Sequence, residues 1–468
     1  VSDLLLQNPT EPEAWNLDAC LKCSLCTEHC PVSEVNPLFA GPKKLGPDGE
    51  RWRLELAAFG DEQLSLCTGC KQCEMACPAG VRITHMISRA KARSRRQSGG
   101  KFGDRYIADT ELLGRLGTIV PSLANLATGL KPVRTVMQKV LGIEAGRPLP
   151  RFAGRRYRVA SRHRPLPGGV RAYMTRDDAP ARDAAQAGPA QHFTGPSRFP
   201  VDAEGRRLVV LFTGCYAHYY DPDLAEAVTE VLEHNRFRVI IPEQMCCGLP
   251  FLANGFPEKA GHNARYNLQH ISPYTEAGIP MVVPSTSCAL TLKSDYPDLV
   301  GKQAAAVFSH QVHELGAFLR DLWEHGELSL DFGQVDETFS YHEPCHLKAL
   351  GNGLPFVEIL RLVPGLTVEV LDAGCCGLSG TYGMKQRNFD VSMKIGNRLF
   401  TRVRERGHRV LTECETCKMQ IEFGAEAETI HPVKVLRQAY RAAATGKGGV
   451  PGSAPAAHRN GSFNLAGD

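Results

Sequence analysis

The chain has 468 residues, 43% of them hydrophobic, and 54 Lys+Arg against 50 Asp+Glu give a net charge of +4. That balance is too mild to argue for nucleic acid, and the length fits roughly three domains of about 150 residues each. The outlying number is 17 cysteines: disulfide scaffolds are usually short and secreted, the count is odd, and the opening "VSDLLLQNPTEPEAWN" lacks the basic and apolar regions of a secretory signal, so metal ligation in a reducing compartment is expected.

Two cysteine runs come first, "CLKCSLCTEHCPV" from Cys20 and "CTGCKQCEMACPAGV" from Cys67. Both follow C-x-x-C-x-x-C-x-x-x-C-P, the run that holds [4Fe–4S] cubanes, in which the fourth cysteine serves the other cluster. Iron in such clusters prefers soft, charge-donating thiolate. The expected sets are therefore Cys20, Cys23, Cys26 and Cys77 for one cluster, and Cys67, Cys70, Cys73 and Cys30 for the second. Structural zinc also uses C-x-x-C pairs, but normally as two pairs with four ligands rather than a triple plus one, twice. Between the runs, the stretch after Gly49 reads as helix, with Leu54, Leu56, Ala57 and Leu64 apolar, so the module is expected to be a helical ferredoxin.

Next come the basic residues Arg89, Lys91, Arg93, Arg95 and Arg96, then an apolar stripe at Leu112, Leu116, Ile119, Leu123, Leu126 and Leu130. The gaps of 4, 3, 4, 3 and 4 are helical, with a kink expected at Pro121. Basic residues beside such a stripe suit an anionic membrane surface, and a solvated face beside a core or partner helix is the alternative. No stretch is long enough to span a bilayer; the best candidate, between Arg115 and Lys131, has about 15 uncharged residues where about 20 are needed. Residues 150–205 read as a linker or extended wrap, and the segment after about Ala442 as disordered.

The remainder is a repeat. Apolar runs precede Cys215, Cys246 and Cys288, and the same order returns before Cys345, Cys375 and Cys417. Cys215 to Cys246 is 31 residues and Cys345 to Cys375 is 30; Cys247 to Cys288 and Cys376 to Cys417 are both 41. Glu243 and Asp372 each lie three before the doublet, and His310 and His431 fall at the last strand of each copy. Short strands alternating with helices argue α/β, with the site in loops at strand ends. The second copy has five thiols, Cys345, Cys375, Cys376, Cys414 and Cys417. The first has Cys215, Cys246, Cys247 and Cys288, with Ser285 where Cys414 would fall, so a different metal centre, or none, is expected there.

With these motifs in place, together with "NPLFAGPKKLGPDGERWRL", "ATGLKPVR", "CCGLPFLANGF", "CCGLSGTYGMK" and "CETCKMQIE", the chain resembles the cysteine-rich CCG-domain iron–sulfur proteins over about residues 18 to 440. Within them it is most similar to the C-subunit family of anaerobic glycerol-3-phosphate dehydrogenases, and it is related to the B subunit of heterodisulfide reductase and the glycolate oxidase iron–sulfur subunit. The resemblance implies an electron-transfer subunit passing electrons from a flavoprotein dehydrogenase subunit to quinone, cytoplasmic and peripheral on the inner face of the cytoplasmic membrane. It also implies a non-cubane [4Fe–4S] cluster on the five cysteines of the second copy.

The expected architecture is α+β and multidomain. A helical ferredoxin-like domain (1–105) and a helical segment with linker (106–205) precede two pseudo-symmetric α/β CCG domains (206–330 and 331–442) and a tail (443–468). No G-x-G-x-x-G follows a strand and no P-loop or catalytic triad is signalled, as suits a carrier whose cofactors hold the chemistry. A glycolate or lactate oxidase subunit, a heterodisulfide-reductase-like enzyme acting at the CCG cluster, and a zinc-stabilised binding module are the alternatives.

Overall fold

The computed structural model describes residues 17–55, 61–99, 102–155, 157, 163–165, 171–174 and 198–445. Leu56 and Ala57, much of the 150–205 segment and the tail beyond 445 lie outside the described residues.

The first 99 residues contain no strand among those described. Short turns carry the cysteines, and the Gly49 segment is helical over Gly49–Glu55. The module ends in a long helix, α1 (Ile83–Ser98), which carries the basic run. That run turns inward rather than towards an open surface. Lys91 donates to the Cys67 carbonyl at 2.9 Å, Arg93 pairs with Glu50, Arg95 with Asp104 and the Asn254 carbonyl, and Arg96 with Glu258. Lys91 and Arg93 thus bond within the ferredoxin module, while Arg95 and Arg96 tie it to repeat 1 through Asn254 and Glu258.

The apolar stripe is broken rather than merely kinked. After α2 (Phe102–Ala108) come α3 (Thr110–Gly117), α4 (Pro121–Gly129) and α5 (Lys131–Leu141). Pro121 opens α4, where its missing N–H costs nothing and its fixed φ suits the first turn. Leu116, Ile119, Leu123 and Leu126 are exposed, at 56 to 67%. No helix among the described residues is long and apolar enough to cross a membrane.

The first repeat is built on β3 (Arg207–Leu211), β4 (Phe237–Ile241), β5 (Met281–Val283) and β6 (Val312–Glu314), parallel in the order β4-β3-β5-β6. Two strands preceding them, β1 (His163–Pro165) and β2 (Arg171–Met174), add antiparallel to the β4 edge, so part of the expected linker extends this sheet. The second repeat uses β7 (Glu337–Tyr341), β8 (Leu366–Val370), β9 (Arg409–Leu411) and β10 (Thr429–Ile430) in the order β8-β7-β9-β10. The strand orders match one for one.

Strand β3 shows why the sequence runs are almost wholly apolar. Val209 and Leu211 face one core, Leu208 and Val210 the other, and helices cover both faces. The two repeats share the first of these cores. Helix α6 (Pro222–His234) of repeat 1 packs on α10 (Pro432–Ala444) of repeat 2, and α7 (Leu315–Glu324) packs reciprocally on Pro355–Leu360. Between these in sequence lie α8 (Gln386–Arg406) and α9 (Glu415–Gly424). The last helix runs two residues past the expected end of repeat 2 at 442.

His310 and His431 are not equivalent. His310 closes the helix Lys302–His310 and is exposed, and the strand that follows it ends at Glu314. Glu314 accepts from the Gly316 and Ala317 amides as His431 accepts from Val433, so a carboxylate and an imidazole fill the same capping role in the two copies.

Candidate metal centres

The two ferredoxin loops are built alike. Lys22 and Ser24 in the first, Gly69 and Lys71 in the second, take left-handed backbone at matching positions. These turns bend the chain between the first cysteines of each run, and a short helix, Leu25–Glu28 or Gln72–Met75, supplies the third. Cys20, Cys23, Cys26 and Cys77 line one small cavity, and Cys26 is close enough to Cys20, Cys77 and Cys23 to feel their charges. Cys73 is likewise beside Cys70, Cys67 and Cys30. The fourth cysteine of each run thus sits with the other run's triple. Burial pushes the Cys26, Cys67 and Cys73 thiols up, and a cation among them would favour the thiolates.

All CCG cysteines follow the carboxyl ends of strands: β3, β4 and β5 in repeat 1, and β7, β8 and β9 in repeat 2. In repeat 2, Cys376 and Cys417 lie Sγ to Sγ at 3.4 Å, Cys375 hydrogen-bonds Cys345 and Cys376, and Cys417 bonds Cys414. Adjacent thiols can share one site because Gly374 and Gly377 on either side both have positive φ, +71° and +86°. A Cβ on Gly377 would run into the Ser392 carbonyl oxygen. Hydrogen bonds from Cys375 and Cys417, then His342, favour the Cys376 thiolate.

Repeat 1 gathers Cys215, Cys246, Cys247 and Cys288 in the same way, with Gly248 at φ +93° after the doublet. Ser285 does not turn to these thiols. Its hydroxyl donates to the half-buried Glu415 carboxylate at 2.9 and 3.2 Å. Two residues absent from the motif reading touch this set: Thr110 Oγ1 lies 3.4 Å from Cys215 Sγ and 3.6 Å from Cys246 Sγ, and Glu111 accepts from the Cys246 amide at 2.8 Å. Both lie on α3, beyond the reach of cysteine spacing.

The sets are ordered in space. Cys70 is beside Cys345, Ser379 donates to the Thr68 carbonyl at 2.5 Å, and Cys375 packs in the core of the ferredoxin module. His346 bridges onward, with Nδ1 2.9 Å from Ser287 Oγ and Nε2 3.3 Å from the Gly69 carbonyl. Only the sequence pair Cys345-His346 could have pointed to it. Repeat 1 lies farther on, against α3. A single cavity of about 880 Å³ reaches Cys67 and the thiols of both repeats. Among the described residues no group of three or more His, Cys, Asp or Glu is placed to hold a single metal ion; the thiols ring voids instead. Soft donors in fours and fives, buried and repelling one another, fit iron–sulfur clusters.

Comparison with known proteins agrees with this donor set. A 4Fe-4S dicluster domain matches residues 16–81, and a cysteine-rich domain of CCG type matches residues 209–293 and 339–422. The C subunit of anaerobic glycerol-3-phosphate dehydrogenase from Escherichia coli (strain K12) is 35% identical over 91% of this chain and 98% of its own length. The B subunit of fumarate reductase (CoM/CoB) from Methanothermobacter marburgensis is 25% identical over 90% of this chain and 70% of its own length. The glycolate oxidase iron-sulfur subunit of Escherichia coli (strain K12) is 23% identical over 94% and 98%.

Proposed function

Because the chain belongs to the family of anaerobic glycerol-3-phosphate dehydrogenase C subunits, iron–sulfur proteins with a dicluster ferredoxin domain and two CCG domains, we propose that it is the electron-transfer subunit of such a complex. A flavoprotein subunit oxidises glycerol 3-phosphate, and this chain passes the electrons to quinone. Two cubane [4Fe–4S] clusters occupy the crossed ferredoxin sets and a non-cubane [4Fe–4S] cluster the five thiols of repeat 2. Repeat 1 holds a different centre or none.

The observation that carries this reading is the end-to-end arrangement of thiol sets. The first set is nearest solvent, with Cys23 exposed between exposed Leu21 and Leu25, a face open to a donor subunit. The second adjoins repeat 2, which adjoins repeat 1, which adjoins α3. The chain's own residues hold each site in place. Salt bridges Lys71–Asp295 (3.2 Å) and Arg82–Asp298 (2.6 Å), with His85 3.0 Å from Asp295, fix the ferredoxin module against repeat 1. The exposed stripe of α3 and α4 supports peripheral attachment to the inner face of the cytoplasmic membrane.

Mixing the anaerobically purified chain with its flavoprotein subunit tests the reading. Glycerol 3-phosphate should bleach the visible iron–sulfur absorbance of the mixture, and the chain alone should not respond. Bleaching of the chain without a flavoprotein would place substrate oxidation on this subunit and reject the division of labour.

A further inference from the structure

The large cavity has an apolar wall. It is formed by Ile107, Leu113, Met137, Leu141, Leu149 and Phe152, all apolar and all from α2, α3, α5 or the segment after them; Ile107, Met137, Leu141 and Leu149 pack in the core that contains Cys376, Cys414 and Cys417 of repeat 2. Part of this surface shields the repeat 2 thiols, and Leu113 and Phe152 extend it beyond them. Of these helices, α3 is seated on repeat 1, and the segment after α5 is bonded to repeat 2 through Glu144–Met384 and Arg147–Gln420. A Cβ on Gly114 would sit 2.5 Å from the Tyr219 ring, and Cβ atoms on Gly103 and Gly117 would run into the Leu141 carbonyl and the Phe152 ring. Such close approach holds the wall in place beside Cys215 and Cys246.

The outer side of the same helices is the exposed stripe. Every exposed charged side chain described between 102 and 151 is cationic: Arg105, Arg115, Lys131, Lys139 and Arg151. An apolar face rimmed by cations matches an anionic lipid surface, so the cavity wall and the membrane-facing side are two faces of one helical layer. At the ferredoxin end of the cavity, Lys71 and Lys91 are engaged by Asp295 and the Cys67 carbonyl. The apolar end, running from Thr110 and the repeat 1 thiols towards those of repeat 2, is where a lipophilic molecule would be held.

We propose that this cavity binds a membrane quinone, with its ring against Thr110, Cys215 and Cys246 and its apolar body along Ile107, Leu113, Met137 and Leu141. The inference rests on the electron-transfer reading above and adds the place where electrons leave. The balance is simple. Oxidation of one glycerol 3-phosphate on the flavoprotein delivers two electrons through the thiol-bound centres; the quinone gains them with two protons from water, and its two C=O groups become C–OH. The cavity of about 880 Å³ includes the space ringed by the thiols of both repeats, so the quinone takes only its apolar end.

The test uses the full chain, purified anaerobically with its iron, and the quinone analogue 2-heptyl-4-hydroxyquinoline N-oxide, whose fluorescence is quenched on binding. Leu113→Trp and Leu141→Trp each fill the apolar end from a different helix. Each should weaken binding by about tenfold or more while iron per chain is unchanged. In the complex with the flavoprotein, glycerol 3-phosphate should still bleach both variants, and reoxidation by decylubiquinone should be slowed by a similar factor. Wild-type binding and reoxidation in both iron-replete variants would overturn the site. Failure of the wild-type complex to bleach at all would instead overturn the electron-transfer reading beneath it.

Discussion

Ser285 of the first repeat donates its hydroxyl to Glu415 of the second, at 2.9 Å, beside the cysteine that Ser285 replaces in the repeat pattern. The position vacated as a thiol ligand has thus become a bond between the copies. Glu415 is half-buried, and the loss of water around it raises its carboxyl pKa, while the Ser285 hydroxyl lowers it. Ser285→Ala should lower stability by about 1–2 kcal/mol, read as a lower thermal midpoint. Ser285→Cys completes a second five-thiol set and should raise iron per chain. Unchanged iron in a folded Ser285→Cys protein would show that a missing thiol is not what distinguishes repeat 1.

The crossed placement of Cys77 beside Cys20, Cys23 and Cys26 makes a specific expectation for single replacements. Cys77→Ala should remove or convert the cluster of the first run and leave that of Cys67, Cys70, Cys73 and Cys30 intact, as resolved by electron paramagnetic resonance. Loss confined to the second run's cluster would reverse the assignment. Total iron should exceed about eight per chain, the content of two cubanes, and Cys376→Ala should bring it back towards that value.

Much of this was legible because cysteine chemistry constrains spacing. The 41-residue intervals from Cys247 to Cys288 and from Cys376 to Cys417 reflect a short helix, a long helix and one strand in each copy, and the sheets have matching order. Other matched positions carried no such meaning. Glu243 and Asp372 both precede the doublet by three, yet Glu243 meets Tyr266 and Asp372 meets Arg398, both at the surface. The basic run of α1 was legible as charge but not as direction, since its partners Glu50, Asp104 and Glu258 come from three separate parts of the chain. Thr110 and Glu111 reach the repeat 1 thiols only through tertiary packing, which no local pattern records.

Gly377 and Gly407 separate the two reasons a glycine matters. Both have positive φ, +86° and +67°, but a Cβ on Gly407 meets open space and one on Gly377 meets the Ser392 carbonyl. Gly407→Ala should cost about 1 kcal/mol, the backbone term alone. Gly377→Ala adds a clash beneath the cysteine doublet and should cost about 3 kcal/mol, with loss of iron from repeat 2. Thermal midpoints and iron content of the two variants, measured side by side, check this; equal effects would mean that the close approach is relieved at little cost.

The last expectation concerns acid. His431 accepts from the Val433 amide at Nδ1 and donates from Nε2 to the Pro284 carbonyl, both at 3.1 Å, so the neutral ring satisfies both bonds. Burial pushes its pKa down to about 4 from an ordinary value of 6.5. The unfolded chain therefore binds a proton as pH falls below 6.5 while the folded chain stays neutral. The sign follows: the contribution is fully present above about pH 6.5, is lost progressively as pH falls, and levels off below about 4, amounting to roughly 3 kcal/mol across that window. His431→Asn keeps an acceptor for Val433 but has nothing to protonate. It should be less stable than wild type near pH 7.5 by about 1–2 kcal/mol, from the lost bond to Pro284, and the difference should shrink or reverse at pH 5. Thermal midpoints by circular dichroism at the two pH values decide it, and parallel losses in both proteins would place the acid sensitivity elsewhere.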